Sequence, residues 1–377
     1  MSSDIKINRG LKGIYFERSG ISDIDGANGR LTYRGYQISD LAKNSTFEEV
    51  CYLLIYGNLP NHKELNSFQK KLILYRNLPK EIYKIIELTK NGHPMDVLRS
   101  CISALPSLIK LQSKYNKDFL IEDGIKLISQ IPVIVAAHER IRNNLEAITP
   151  DQSLNHSANW LYMLNGEKPS KENVKLTDLD FMLHAEHGSN ASSFAARVTI
   201  GTKAGLYDAF VTAISTLSGP AHGGAAEDVM KMIEEIGEPE NVRNYIKAKR
   251  LNKEPVTGFG HRVYRKEDPR AVFLKEGLKQ LSIEKNEPKW FKILENVVLE
   301  MKPYSRHGLN VNVDFYSGAI YNLQKIPKDL YVPIFSIGRA PGWVAQCIEQ
   351  FETNILIRPL TEYNGPKNRQ FKEISER

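Results

Sequence analysis

Three short stretches, Gly219-Pro220-Ala221-His222-Gly223-Gly224-Ala225, Gly258-Phe259-Gly260-His261-Arg262-Val263-Tyr264 and Asn312-Val313-Asp314-Phe315-Tyr316-Ser317-Gly318, each set one titratable side chain among small or turn-forming residues. Two histidines and one aspartate can move a proton off carbon. Glycine beside such a residue lets the backbone take unusual angles and lets a substrate come close, which a merely structural histidine does not require. Removing a proton from a weakly acidic carbon needs a base and, at the same moment, a hydrogen-bond donor for the enolate oxygen that forms. Asp314, a carboxylate of ordinary pKa, about 3.9, is ionised at neutral pH and reads equally as a turn or cap aspartate. His222 is the histidine of the first stretch. The run Gly223-Gly224-Ala225-Ala226-Glu227-Asp228 after it reads as the opening of a helix, whose positive end disfavours a protonated imidazole and leaves a neutral donor.

These loops must be carried by something, and the periodicity says helices. The first ~35 residues, with Gly13-Ile14-Tyr15-Phe16, Ile24-Asp25-Gly26 and Arg30 to Gly35, read as short strands and turns. Thr46-Phe47-Glu48-Glu49 then has the form of a capping box, and Phe47, Val50, Cys51 and Leu54 fall on one helical face. Pro60, Pro79, Pro94 and Pro132, with Gly57 and Gly92, divide the following stretch into helices. The expected fold is all-α with a short β element at the N-terminus. At 377 residues the chain is long enough for a large core and a smaller second one.

Lys and Arg number 51 against 44 Asp and Glu, a net charge of +7. The excess is spread along the chain, and its densest sets, Lys247-Lys249-Arg250 with Lys253 and Arg262-Arg265-Lys266 with Arg270, flank the second histidine stretch. A phosphate-bearing small molecule fits that placement better than nucleic acid, for which no recognised module or dense basic stripe is present. Cys51, Cys101 and Cys347 form no Cys-x-x-Cys pair and read as buried thiols. The N-terminal residues lack the apolar core of a secretory signal, and no stretch approaches the ~20 apolar residues that span a bilayer. The expectation is a cytoplasmic protein that meets neither membrane nor nucleic acid. Other readings of the islands are weaker: the Gly-x-x-x-x-Gly-Lys phosphate loop is missing, and Gly258-Phe259-Gly260 lacks the third glycine of a dinucleotide fingerprint. The remaining rival from another class is a metal site, with His184 and His187 on one presumed helical face and His222 and His261 completing it; Glu186 would be turned away on such a helix.

Taken together, the ordered motifs resemble the citrate synthase family in its shorter prokaryotic form. They are Ile24-Asp25-Gly26 with Leu31-Thr32-Tyr33-Arg34-Gly35-Tyr36, His93-Pro94-Met95-Asp96-Val97-Leu98-Arg99, His184-Ala185-Glu186-His187-Gly188-Ser189-Asn190, the three islands, Asp268-Pro269-Arg270 and Gly338-Arg339-Ala340-Pro341-Gly342-Trp343. The resemblance implies a two-domain helical homodimer with its active site in the interdomain cleft. The large domain would span residues 1–219, a small helical domain 220–320, and 321–377 would return to the large domain and end in a C-terminal arm. It implies condensation of acetyl-CoA with oxaloacetate and hydrolysis of citryl-CoA, the entry step of the tricarboxylic acid cycle, or the same chemistry on propionyl-CoA to give 2-methylcitrate. No cofactor would be tightly bound. The matching positions make Asp314 the base, His222 the thioester donor and His261 the donor to the ketone. They make His187, Arg270, Arg339 and Arg358 the oxaloacetate contacts, with Arg358 reaching across the dimer. Val256, Thr257, Gly258, Phe259 and Gly260 would line the CoA site, with Arg265 near its phosphates. Arginine suits a dicarboxylate because its planar fork binds carboxylates bidentately. One departure stands out: Val311 replaces a proline common in the family before Asn-Val-Asp.

Overall fold

The computed structural model describes residues 6–109 and 116–377. The five residues at the extreme N-terminus, part of the segment read for a signal, lie outside the described residues. The β element is an antiparallel meander of β1 (Ser22–Asp25), β2 (Arg30–Tyr33) and β3 (Tyr36–Gln37), with Ile24 opposite Leu31. Among the described residues the named elements after it are helices: α1 (Ile38–Asn44), α2 (Phe47–Tyr56), α3 (His62–Leu74), α4 (Lys80–Thr89) and α5 (Pro94–Leu108) come first. The capping box that opens α2 forms as the sequence predicts, the Glu49 N–H donating to Thr46 Oγ1 at 3.3 Å and the Thr46 N–H to Glu49 Oε2 at 2.8 Å. Pro60, Pro79 and Pro94 fall at helix starts.

Pro132 does not divide the chain. It lies inside α6 (Lys117–Arg142), a helix of 26 residues. A mid-helix proline costs about 3 kcal/mol in isolation, but α6 is buried on nearly all sides from Leu120 to His138, so tertiary packing outweighs the lost hydrogen bond. α7 (His156–Asn165), α8 (Lys171–His184), α9 (Ala191–Gly201) and α10 (Leu206–Leu217) complete the first part of the chain. α11 (Ala225–Ile236), α12 (Val242–Leu251), α13 (Ala271–Glu284), α14 (Lys289–Met301) and α15 (Asp314–Leu323) then pack mainly on one another, α11 and α13 against α15 and α12 against α14. α16 (Tyr331–Glu352) is a second buried helix; it returns to lie along α6 and α9 and carries Pro341 within it. Beyond α16, residues 353–377 form no helix longer than the short turn Ile374–Glu376, and Leu360 is 96% exposed. Among the described residues no helix is long and apolar enough to cross a membrane.

His156, at the start of α7, packs against Phe47 and Phe181, and its buried Nε2 has no partner among the described residues. Burial, and then the charge of Arg76, pull its pKa from 6.5 down to about 3. The unfolded chain therefore takes up this proton below pH 6.5 while the folded chain refuses it. The stability this gives is fully present above pH 6.5 and is lost as pH falls toward 3, at about 1.4 kcal/mol per pH unit. Replacing His156 with Phe is expected to flatten the acid limb of stability by about that slope, measured by urea denaturation between pH 4 and 6.5. An unchanged slope would show that His156 is not the group responsible.

Candidate active site

His222 sits in the turn between α10 and α11, two residues before the Gly224 cap, as the reading of a helix start after it requires. Its anchor, however, is the start of another helix. Ser192 lies in the first turn of α9, where backbone N–H groups lack partners within the helix. The Ser192 N–H donates to His222 Nε2 at 3.2 Å, and Ser192 Oγ lies 2.9 Å from the same nitrogen. A backbone amide can only donate, so Nε2 accepts and the ring proton sits on Nδ1. Ser192 is itself held by Asn190 Oδ1 at 2.8 Å and by the Trp343 indole at 3.1 Å. Burial, and then the Arg339 charge, bring the His222 pKa down to about 4, so the ring is neutral at pH 7.

His261 is fixed the opposite way round. Its Nδ1 accepts from the backbone N–H groups of Val263 at 3.0 Å and Tyr264 at 3.1 Å, which places the proton on Nε2. Burial, and then Arg270, lower its pKa to about 4. The β element explains the Ile24-Asp25-Gly26 motif: the Arg265 N–H donates to Gly26 O at 2.9 Å, and a Cβ on Gly26 would stand 2.3 Å from Val263 O. Any larger residue there would push on the loop that carries His261.

The second and third islands are one unit. Phe259 bridges Val311, the Gly260 N–H donates to Asn310 O at 2.8 Å, and the Asn312 N–H donates to Gly258 O at 3.0 Å. The Val311 N–H takes no part in this pairing, so a proline in its place would cost the bridge no hydrogen bond. Gly258 has φ +82°, and a Cβ on it would lie 2.4 Å from the Phe315 ring, so the position admits only glycine. Two residues past Asn312, Asp314 opens α15. Its half-buried carboxylate takes no hydrogen bond among the described residues. Burial raises its pKa, with His184 and then Arg270 pulling the other way.

His187 is buried with Nε2 3.1 Å from the Tyr264 hydroxyl, and its ring is 5.1 Å from that of His261. Burial, then Arg270, hold it well below its ordinary pKa. The buried Arg270 makes a bidentate pair with Asp268, at 2.9 and 2.7 Å. Arg339 donates to His184 O at 2.6 Å and lies 4.8 Å over Phe335, while its buried Nη1 has no partner among the described residues. Burial drops its pKa to about 10. An unpartnered buried guanidinium nitrogen is costly, and an anion is a group that can satisfy it. Phe335 joins the groups, its ring 5.0 Å from His184 and 6.3 Å from His222. Val256 is buried and Thr257 half-buried on the way into Gly258, and Arg265 is exposed at the rim. Arg358 is not brought to the others: it is exposed beyond α16, and no hydrogen bond or ion pair ties it to another site residue.

The metal reading fails on geometry. α8 ends at His184, so His187 lies beyond it and not on the same helical face. Glu186, expected to turn outward, is fully buried and accepts from Ser22 Oγ at 3.1 Å and Gln346 Nε2 at 2.8 Å. Among the described residues no three His, Cys, Asp or Glu side chains converge as ligands. Sequence reasoning passed over Ser192, Tyr264 and Asp268, whose parts are visible only as contacts; the Asn190-Ala191-Ser192-Ser193 capping run was the one available signal for Ser192.

The family model for the citrate synthase C-terminal domain matches residues 10–360. Citrate synthase 2 of Bacillus subtilis is 43% identical over 375 residues, covering 98% of this chain and 99% of that protein. A 2-methylcitrate synthase of Corynebacterium glutamicum is 36% identical over 381 residues, covering 100% of both chains. Among solved structures, the citrate synthase of the archaeon Thermoplasma acidophilum, in ternary complex with carboxymethyl coenzyme A and oxaloacetate, has a TM-score of 0.93 at 30% identity, covering 99% of this chain and 100% of that one.

Proposed function

The chain belongs to the citrate synthase family of condensing acyltransferases, and from that premise we propose that it condenses acetyl-CoA with oxaloacetate and hydrolyses the product to citrate and CoA. The observation that carries this reading is the opposed pair of neutral histidines. His222 carries its ring proton on Nδ1 and His261 on Nε2, each fixed by backbone amides on its other nitrogen. Asp314 takes a proton from the acyl methyl group while His222 donates to the thioester oxygen, so the enolate charge meets a donor already in place. The enolate carbon then attacks the oxaloacetate ketone, forming the carbon–carbon bond, and His261 donates its proton to the ketone oxygen. Water adds to the thioester carbonyl of citryl-CoA, the carbon–sulfur bond breaks, and CoA leaves as the thiol.

Arg270, Arg339 and His187 hold the dicarboxylate, Arg339 with the nitrogen that has no protein partner. Arg358 completes that pocket from a second copy in a homodimer. Val256 to Gly260 and Arg265 receive the CoA, a co-substrate and not a bound cofactor. Residues 220–320 act as the smaller domain and close on the remainder. The mutual packing of α11 to α15 supports this, as does the division of the site between them and α16. The reaction is the entry step of the tricarboxylic acid cycle.

Propionyl-CoA is the second candidate substrate, because a relative of this length is named 2-methylcitrate synthase. One methylene is worth about 1–3 kcal/mol in a pocket, so the two substrates should differ by roughly 10- to 200-fold in kcat/KM. With oxaloacetate present, thiol release is expected to favour acetyl-CoA. A preference for propionyl-CoA would reassign the enzyme to 2-methylcitrate, and no thiol from either would defeat the functional reading.

A further inference from the structure

Three side chains outside the reacting set, Asp180, Ser317 and Tyr321, join α8 to α15, the helix that Asp314 opens, and His184 stands one turn along α8 from the first of them. On α15, Asp314, Ser317 and Tyr321 recur at helical spacing and share one face. Opposite them on α8, Asp180 and His184 stand one turn apart. The buried Asp180 carboxylate accepts from the Tyr321 hydroxyl at 2.6 Å and from Ser317 Oγ at 3.3 Å. His184 Nδ1 lies 2.9 Å from Asp180 O and 3.3 Å from Asp180 Oδ1, so this nitrogen carries the proton and donates back down its own helix. The peptide carbonyl of His184 in turn accepts from Arg339.

We propose that Asp180 and His184 are positioning residues for Asp314: Asp180 locks α15 onto α8 through Tyr321 and Ser317, and His184 sets an imidazole within electrostatic reach of the carboxylate that begins α15. This inference rests on the reading of Asp314 as the base. The charges agree with the geometry. Against burial, Asp180 and then Asp314 favour the protonated form of His184, with Arg270 opposing. Burial raises the Asp314 pKa, His184 and Arg270 lower it, and Asp268 and Asp180 raise it. The His184 ring, tied to Asp180, favours the ionised form of the base without touching substrate. Locking the first turn of α15 matters because misplacing a catalytic group by an ångström can cost about 100-fold in rate.

The test compares Asp180→Asn, His184→Gln and Tyr321→Phe with wild type in thiol release, acyl-methyl deuterium exchange and oxaloacetate binding by calorimetry. Asp180→Asn and His184→Gln are expected to lower kcat and exchange by about 10- to 100-fold with oxaloacetate affinity nearly unchanged, and Tyr321→Phe by less. His184→Gln should also move the acid limb of the kcat profile to higher pH, because Asp314 loses the charge that holds its pKa down. A folded His184→Gln protein with wild-type kcat and an unmoved acid limb would overturn the proposal. So would parallel loss of rate and oxaloacetate affinity across the set, which marks a structural role. If Asp180→Asn does not fold, the milder Tyr321→Phe carries the locking arm. Wild-type protein without turnover would refute the functional reading alone. In that case carbon NMR titration of the Asp314 carboxyl in wild type and His184→Gln still decides: an upward shift supports the proposal, and no shift refutes it.

Discussion

Asp314→Asn is expected to lower kcat by about 10²–10⁴ while leaving oxaloacetate binding close to wild type. Asparagine keeps the shape of the side chain, and the carboxylate it replaces takes no hydrogen bond among the described residues whose loss would disturb α15. Removing it relieves a buried acid of the desolvation that raises its pKa, so the variant should be at least as stable as wild type. The rate and the stability should therefore move independently. Deuterium exchange at the acyl methyl group should fall with the rate, because proton removal is the step the carboxylate serves. Turnover near wild type in Asp314→Asn would reduce Asp314 to a helix-start aspartate and leave His222 and His261 without a base. A fall in oxaloacetate affinity as large as the fall in kcat would instead place Asp314 in the dicarboxylate pocket.

The sequence showed which residue types could do this chemistry, and it showed local structure wherever the partner was close along the chain. Thr46 and Glu49 are three residues apart, and their capping box was readable for that reason. The protonation of His222 was only half readable. A helix start after it argues for a neutral ring, but which nitrogen holds the proton depends on Ser192, 30 residues away in another helix. His261 lies at the other extreme: both amides that fix its tautomer lie within its own island, at Val263 and Tyr264. Pro132 misled because proline rules describe exposed helices, and α6 is buried. His184 misled in another way. Its spacing from His187 suggested a shared face, yet the helix ends between them, and the ring turns instead to Asp180 one turn back. The pairing of Phe259 with Val311 could not be read at all, since neither segment has strand periodicity and they meet through tertiary packing alone.

Mixing two inactive proteins is expected to restore activity. Arg358 is exposed on a segment that leaves α16 and carries large exposed apolar side chains, among them Ile355, Leu356 and Leu360. A chain gains nothing from displaying such a segment to water, and in the proposed homodimer a second copy of the chain would cover it. The three cationic groups asked to hold one dianion are also unequally placed. Arg270 is paired with Asp268 and Arg339 has one unpartnered nitrogen, while Arg358 makes no contact within its own chain's site. If Arg358 serves the other subunit, Arg358→Ala and His222→Ala homodimers should each turn over poorly, since every site lacks one group. A heterodimer of the two has one site missing both groups and one site missing neither. Subunit exchange should therefore recover up to half the wild-type rate per heterodimer, and a statistical mixture should recover about a quarter overall. Separately purified parents, mixed under conditions that block exchange, should recover nothing. Exchanged dimers no more active than the parents would place Arg358 in its own subunit's site or outside any site, and a monomer in sedimentation at assay concentration would end the shared-site reading.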